Sequence, residues 1–331
     1  MLSHWYSRSA LVMLLVLTYA SGAEVSVGDP NHPSGPPTYR STVSEVRVTF
    51  FATDESNHAV ATLTKSDFAV VDNEIVIRRF RSLAPSDETA LDVVALVDLS
   101  ESVAPRLRSA MSDVLELVAR EQSIADDNFA VLSFGGALGL KSAGMRPAVL
   151  CQSGCGTSDS VSRLVAVKGG GTTPLFDGLI FGADFVAHHR RAGARPVVIL
   201  FSDGNDTVSQ HSARDALRAA LDGGAPIYSV DIGTPQNQAS YQTSGSAFLR
   251  QVSETTGGRY FCLSQSQRSA QQDSAATVLN AVLEDLRASY VVTYDLPNHG
   301  AGFHSLRLMP THNLNLTFHS RSGYYYEPGV H

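Results

Sequence analysis

With 331 residues, 43% of them hydrophobic, and a net charge of -7, the chain has core material for one large or two small globular domains, which excludes disorder along its bulk. The net acidity and the lack of a Lys/Arg cluster argue against nucleic acid as a partner, because phosphate binding needs concentrated positive charge.

Residues 1–23 open with a short polar and basic stretch ending at Arg8. An apolar run from Ala10 to Leu17 and the small residues Ser21-Gly22-Ala23 follow. This is the pattern of a secretory signal peptide cut after Ala23, since the apolar core is shorter than the roughly 20 residues a spanning helix needs. An uncleaved amphitropic anchor is the alternative. The expectation is an exported protein, periplasmic or extracellular, with no stable membrane span after cleavage. Residues 24–42 hold Gly28, Pro30, Pro33, Gly35, Pro36 and Pro37, the composition of a flexible linker.

Over residues 43–86 the pattern has period two. Val46, Val48 and Phe50 alternate with Arg47, Thr49 and Phe51, and Phe68, Val70, Ile75, Ile77 and Phe80 continue in short runs broken at Asp72-Asn73. About three strands ending near Leu83 are predicted. Residues 87–289 read differently. The apolar runs Leu91–Val97, Phe129–Phe134, Val197–Phe201, Ile227–Ile232 and Tyr260–Leu263 have no polar face, and helical patterns separate them, with a possible further strand at Ala148–Leu150. A first helix carries the stripe Leu107, Met111, Val114 and Val118. Others are predicted over Leu175–Arg191, Ala213–Leu221, Ala247–Glu254 and Val278–Ala288. Continuously apolar strands alternating with helices imply an α/β fold, a doubly wound, mostly parallel sheet with helices on both faces. Residues 290–331 return to short strands, at Tyr290–Tyr294, His304–Leu308 and Leu314–Phe318, and end in Tyr324-Tyr325-Tyr326. Neither flank has enough strands for a stable sheet of its own, so both are expected to pair into one small β-sandwich with the α/β domain inserted between them.

Cys151 and Cys155 lie four apart in a Ser/Gly-rich loop and, in an exported chain, read as a small-loop disulfide rather than a metal site; Cys262 reads as a buried strand residue.

The chemistry-bearing residues follow strand ends. Asp98-Leu99-Ser100-Glu101-Ser102 leaves the first apolar strand and sets a carboxylate and two hydroxyls at alternate positions, a compact set of hard oxygen ligands. Alone, the cluster is equally what caps a helix. Ligands of doubly wound sheets bind at the carboxyl ends of strands where the order reverses, and there the first and fourth strands are neighbours. The fourth strand runs into Ser202-Asp203-Gly204, which brings Asp203 beside Asp98. The loop Gly169-Gly170-Gly171-Thr172-Thr173 lies between them in sequence and can add a Thr hydroxyl.

Asp98-x-Ser100-x-Ser102, Thr173 in Gly-Gly-x-Thr-x-x-x-x-Gly-Leu and Asp203-Gly204 together resemble the five-part metal-ion-dependent adhesion site of von Willebrand factor type A domains, in order and spacing. The likeness covers roughly Leu91 to Ser289. The flanking segments Leu63–Val70, Leu286–Tyr290 and Gly323-Tyr324-Tyr325 resemble the exported bacterial subgroup called VWFA-related Acidobacterial-type proteins. Glu101 departs from that pattern, where many members carry Gly.

The resemblance implies that Ser100, Ser102 and Thr173 coordinate a divalent cation directly. Asp98 and Asp203 would bind it directly or through water, with Glu101 and Asp206 as possible outer partners. The ion implied is Mg²⁺, with Mn²⁺ or Ca²⁺ as alternatives. The function implied is a non-enzymatic adhesion-type module that grips an Asp or Glu carboxylate of a protein partner; the sequence carries no signal for an oligomeric state. Two other readings compete. In one, the metal only rigidifies a structural scaffold. In the other, Asp98 and Asp203-Gly-Asn-Asp206 imitate a haloacid-dehalogenase-like phosphatase, although Ser100 stands where that chemistry needs an acid/base carboxyl. Asn205-Asp206-Thr207 also reads as a turn and helix cap, His188-His189 as a solvated helix end, the terminal tyrosines as strand packing, and Asn315-Leu316-Thr317 as a glycosylation sequon.

Overall fold

The computed structural model describes residues 45–86, 90–106, 111–112, 115, 129–136, 147–233, 245–263, 275–298 and 300–327. The signal-peptide and linker expectations over 1–42, and Leu107, Val114 and Val118 of the first helical stripe, lie outside them.

The centre is a six-stranded sheet built from β5 (Leu91–Asp98), β6 (Phe129–Phe134), β7 (Ala148–Cys151), β8 (Arg195–Ser202), β9 (Ile227–Asp231) and β10 (Tyr260–Cys262), in the order β10-β9-β8-β5-β6-β7. All its pairings are parallel except the edge pair β6–β7. Successive residues of β5 point to opposite faces, so a strand with no polar face must be covered twice. Val93, Ala95 and Val97 meet Met111, Leu115, Leu164 of α1 (Ser158–Val165) and the stripe Val278, Leu279, Val282, Leu283 and Leu286 of α5 (Ala275–Arg287). Val94 and Leu96 meet Leu175, Leu179 and Val186 of α2 (Leu175–His189), Ala216 and Ala220 of α3 (Ala213–Gly223), and Phe248, Leu249 and Val252 of α4 (Gly245–Thr256). Helix α3 starts at a capping box, in which Ser212 and Asp215 satisfy each other's backbone N–H groups, and stops at Gly224 in the left-handed conformation.

The flanks form two four-stranded sheets, β13-β1-β11-β4 and β14-β12-β2-β3, each drawing strands from both ends of the chain. The strands are β1 (Glu45–Thr53), β2 (Phe68–Asp72), β3 (Ile75–Ile77), β4 (Ser82–Pro85), β11 (Tyr290–Asp295), β12 (Gly302–Pro310), β13 (Thr317–Ser320) and β14 (Gly323–Tyr326). Val46, Val48 and Phe50 of one sheet pack on Phe68, Val70 and Leu306 of the other. Asp72 ties the layers as well: its Oδ2 accepts from Tyr294 (2.8 Å) across the sandwich and from Tyr324 (2.6 Å), and His304 Nδ1 lies 3.4 Å from Oδ1.

Several expectations need correction. The N-terminal flank holds four strands, because Ser82–Pro85 pairs with β11 despite lacking an alternating pattern. Leu314 is 76% exposed and precedes its strand, in a turn. Phe51, on the side of β1 read as polar, is buried, because that side packs against the α/β domain, where its ring stacks on Tyr228; it also stacks on His319 of the neighbouring strand β13. Cys262 is half-buried, as befits the sheet's edge strand.

The chain passes between the two folded parts at Ser86 and Ser289. The Ser86 N–H donates to the Ser289 carbonyl (2.9 Å), their hydroxyls are 2.7 Å apart, and Arg195 at the start of β8 donates to both hydroxyls and to the Leu286 carbonyl.

Candidate metal centre

The adjacency of β5 and β8 brings their carboxyl ends together, so Asp98 and Asp203 emerge side by side. Three loops meet there, and hydrogen bonds join each pair of them. Loop 98–102 is held to loop 169–175 by Gly170 N–H to the Leu99 carbonyl (2.7 Å) and Glu101 N–H to the Gly171 carbonyl (3.2 Å). Loop 169–175 is held to the β8 loop by Thr207, which accepts from the Thr173 N–H at its hydroxyl and donates from its own N–H to the Thr173 carbonyl, both at 2.8 Å. The β8 loop returns to the first through Ser202, whose hydroxyl donates to Asp98 Oδ2 (2.8 Å).

Asp98 is fully buried, and its Oδ1 accepts from the Ser100 N–H (2.8 Å). Burial raises its carboxyl to about 7, against the hydrogen bonds from Ser100 and Ser202 and with help from the neighbouring Asp203 charge. The Ser100 and Ser102 hydroxyls lie 3.2 Å apart, and Thr173 is buried. Asp203 is 5% exposed. Its Oδ1 accepts from the Asn205 N–H, whereas its buried Oδ2 has no hydrogen-bond partner among the described residues. A buried carboxylate oxygen left unpaired is costly. Such an atom, beside a second carboxylate and converging hydroxyls, is the environment a hard divalent cation satisfies. The donors are all oxygen, which suits Mg²⁺, Mn²⁺ or Ca²⁺ better than softer metals. Among the described residues no three His, Cys, Asp or Glu side chains group as ligands, so a cation here would rely on the hydroxyls.

Glu101 is exposed at the rim, its backbone rather than its carboxylate engaged by the neighbouring loop. Asp206 accepts from the Phe176 N–H (3.2 Å) and from the Ser209 hydroxyl and N–H, and so ties the β8 loop to the first turn of α2. Cys151 and Cys155 are joined by a disulfide after β7.

The sequence reading missed Ser202, which stands as the last residue of β8 just ahead of Asp203, and Gly135, just past β6. A Cβ at Gly135, where φ is +75°, would lie 3.0 Å from the Thr172 carbonyl and 3.5 Å from Asp98 Oδ1. Only a residue without a side chain lets this backbone approach the site so closely. It also missed Asp231, at the end of β9. Its Oδ1 accepts from the Gly233 N–H and its Oδ2 from Ser246 and Tyr260, which holds Gly233 against Asp203.

A model of the von Willebrand factor type A domain matches residues 92–274. Among solved structures, the manganese-loaded TRAP protein of Plasmodium vivax is 16% identical, with 78% of this chain and 99% of that one covered and a TM-score of 0.43. An aerotolerance-related membrane protein of Bacteroides fragilis is 15% identical over 59% of this chain and 98% of that one, at 0.42. Proximal thread matrix protein 1 of the mussel byssus, with zinc in its MIDAS motif, is 15% identical over 64% and 50%, at 0.44. No curated protein matches significantly.

Proposed function

Since the chain belongs to the von Willebrand factor type A domain family, we propose that it is an exported binding module whose centre holds a divalent cation, Mg²⁺ first, and through it grips an acidic residue of a protein partner. In this reading Ser100, Ser102 and Thr173 hold the ion, and Asp98 and Asp203 bind it directly or through water. When bound, the cation supplies a coordination position that a partner's Asp or Glu carboxylate can take. The observation that carries the reading is the buried Oδ2 of Asp203, unpaired beside Asp98 and the hydroxyl cluster.

The remaining residues prepare the centre. Ser202 and the Ser100 N–H fix both oxygens of Asp98, Thr207 sets the Thr173 backbone, and Asp206 anchors the loop behind it. Glu101, exposed at the rim, adds negative charge where a partner arrives and so favours one that also carries a basic residue. Ser100 stands where a phosphatase of the dehalogenase type needs a carboxyl, and a hydroxyl does not replace that acid/base near neutral pH. The adhesion domain is taken as residues 87–289, with the sandwich shared between 43–86 and 290–331. Export accords with the leader-like residues 1–23, and among the described residues no helix is long and apolar enough to cross a membrane.

The test is capture from native envelope or secreted extract, with Mg²⁺ against EDTA, using the wild type and Thr173→Ala. The proposal expects a protein retained only by the wild type and only with the cation. A partner held equally in EDTA and by the variant would leave the scaffold reading in its place.

A further inference from the structure

Between the α/β domain and the sandwich lies a cavity of about 120 Å³, at the opposite end of the sheet from the candidate metal centre. Strand β1 lines it through Arg47, Thr49, Phe50 and Phe51, and Tyr228, Thr256, Ser289 and Arg321 contribute from the facing elements. Its chemistry is one-sided. Among the described residues two arginines line it, Arg321 and the exposed Arg47, and no carboxylate does, although the charge of buried Asp285 reaches Tyr228.

Two buried groups there are incompletely satisfied. Tyr228 is fully buried and its hydroxyl has no hydrogen-bond partner among the described residues. Arg321 donates from Nη2 to the Arg47 carbonyl (3.1 Å) and sits 5.3 Å from the Tyr324 ring, but its buried Nε makes no hydrogen bond. No ion pair joins it to a carboxylate among the described residues. Burial lowers its pKa, against the opposing influence of Tyr294, Tyr324 and Asp72. A largely buried guanidinium with an unbonded Nε, helped only by the charge of Asp72 and the two phenols, is costly, and an orphan phenol hydroxyl adds to that cost.

We propose that this junction cavity is a binding site for a small oxyanion of the carboxylate class, held by Arg321 and Arg47 and by the hydroxyl of Tyr228. The volume suits an ion of acetate size with a water or two, and planar guanidinium donors match a carboxylate fork. Because its walls come from both folded parts, an anion bound there would fasten one to the other.

The experiment follows thermal unfolding of the full chain against sodium acetate at constant ionic strength, with chloride and phosphate as comparison arms. All arms contain EDTA, so that a carboxylate cannot register through a metal at the distant centre, and failure here says nothing of the adhesion reading. The expected result is a saturable rise of melting temperature with acetate, absent with chloride. Tyr228→Phe should weaken the apparent acetate affinity about fivefold, and Arg321→Gln should abolish the effect. Should Arg321→Gln fail to fold, Arg47→Gln at the same wall carries the charge test and should weaken acetate at least as much as Tyr228→Phe. No saturable acetate effect, an equal effect of chloride, or wild-type acetate response in Tyr228→Phe and the arginine variant would each overturn the proposal and leave a cavity filled by water.

Discussion

Asp98 and Asp203 are neighbours of one chemical type held in opposite ways. Both oxygens of Asp98 are spoken for, one by the Ser100 N–H and one by the Ser202 hydroxyl, while Oδ2 of Asp203 has nothing. Asp203→Ala should therefore abolish Mg²⁺ and Mn²⁺ binding in calorimetric titration, yet leave the EDTA-treated protein at least as stable as the wild type, because it removes an unpaired buried charge. Ser202→Ala acts in the reverse sense. It strips the donor from Asp98 Oδ2, and since partners behind a ligand typically tune affinity by about 10–100-fold, cation affinity should fall about tenfold. The apo protein should also lose about 1–2 kcal/mol, measured by denaturant unfolding. Gly135→Ala forces a side chain into the left-handed region against the Thr172 carbonyl. It should lower both stability and cation affinity, read in the same two assays. Equal metal binding in Ser202→Ala and the wild type would show that Asp98 needs no such positioning.

At the scale of elements, alternation and apolar runs were sufficient to place every central strand and four of the five described helices, α2 to α5, because the inner strands are covered on both faces and each of these helices shows one apolar stripe; α1 was missed, since its eight residues carry only Val161, Leu164 and Val165 as apolar positions. What escaped was whatever depends on a contact distant in sequence. The burial of Phe51 arises because β1 has apolar matter on both sides, which its alternation with Arg47 and Thr49 conceals. Strand β4 exists because β11 offers it an edge 203 residues further on at the Ser86–Ser289 pair. The candidate-site residues could be read from the sequence because their spacing is local to each loop; Ser202, Thr207 and Gly135 could not, because their roles lie in joining one loop to another.

Strand β13 carries a buried titratable ring. His319 stacks on Phe51, lies 3.1 Å from the Thr53 hydroxyl, and is lowered to about 4 by burial and then by the Arg259 charge. An unfolded chain takes up the His proton near pH 6.5 and the folded one does not until about pH 4, so protonation favours unfolding between those values. Stability should therefore fall by about 3 kcal/mol as pH drops from about 6.5 to 4, beyond the general acid response. His319→Phe should flatten that component while keeping the ring stack. An unaltered pH profile in this variant would place the titration elsewhere.

For the molecule as a whole, the two flanks are one structure. Deleting Ser289 to His331 removes β11 and β13 from both sides of β1, and β12 from β2. The remnant should expose the faces of Phe50, Phe68 and Val70 and aggregate, as light scattering would show. A soluble, monomeric remnant with the wild-type melting profile would mean that the sandwich is dispensable.

The crossing at Ser86 and Ser289 has a mechanical meaning. Strand β5 begins just beyond that crossing and ends at Asp98, so the crossing and the candidate metal centre sit at opposite ends of one strand about 25 Å long. Were the proposed site to hold a partner, a pull on it against the sandwich would run along β5 and act on its ladders to β6 and β8 in shear, where the hydrogen bonds must yield together rather than peel open one at a time.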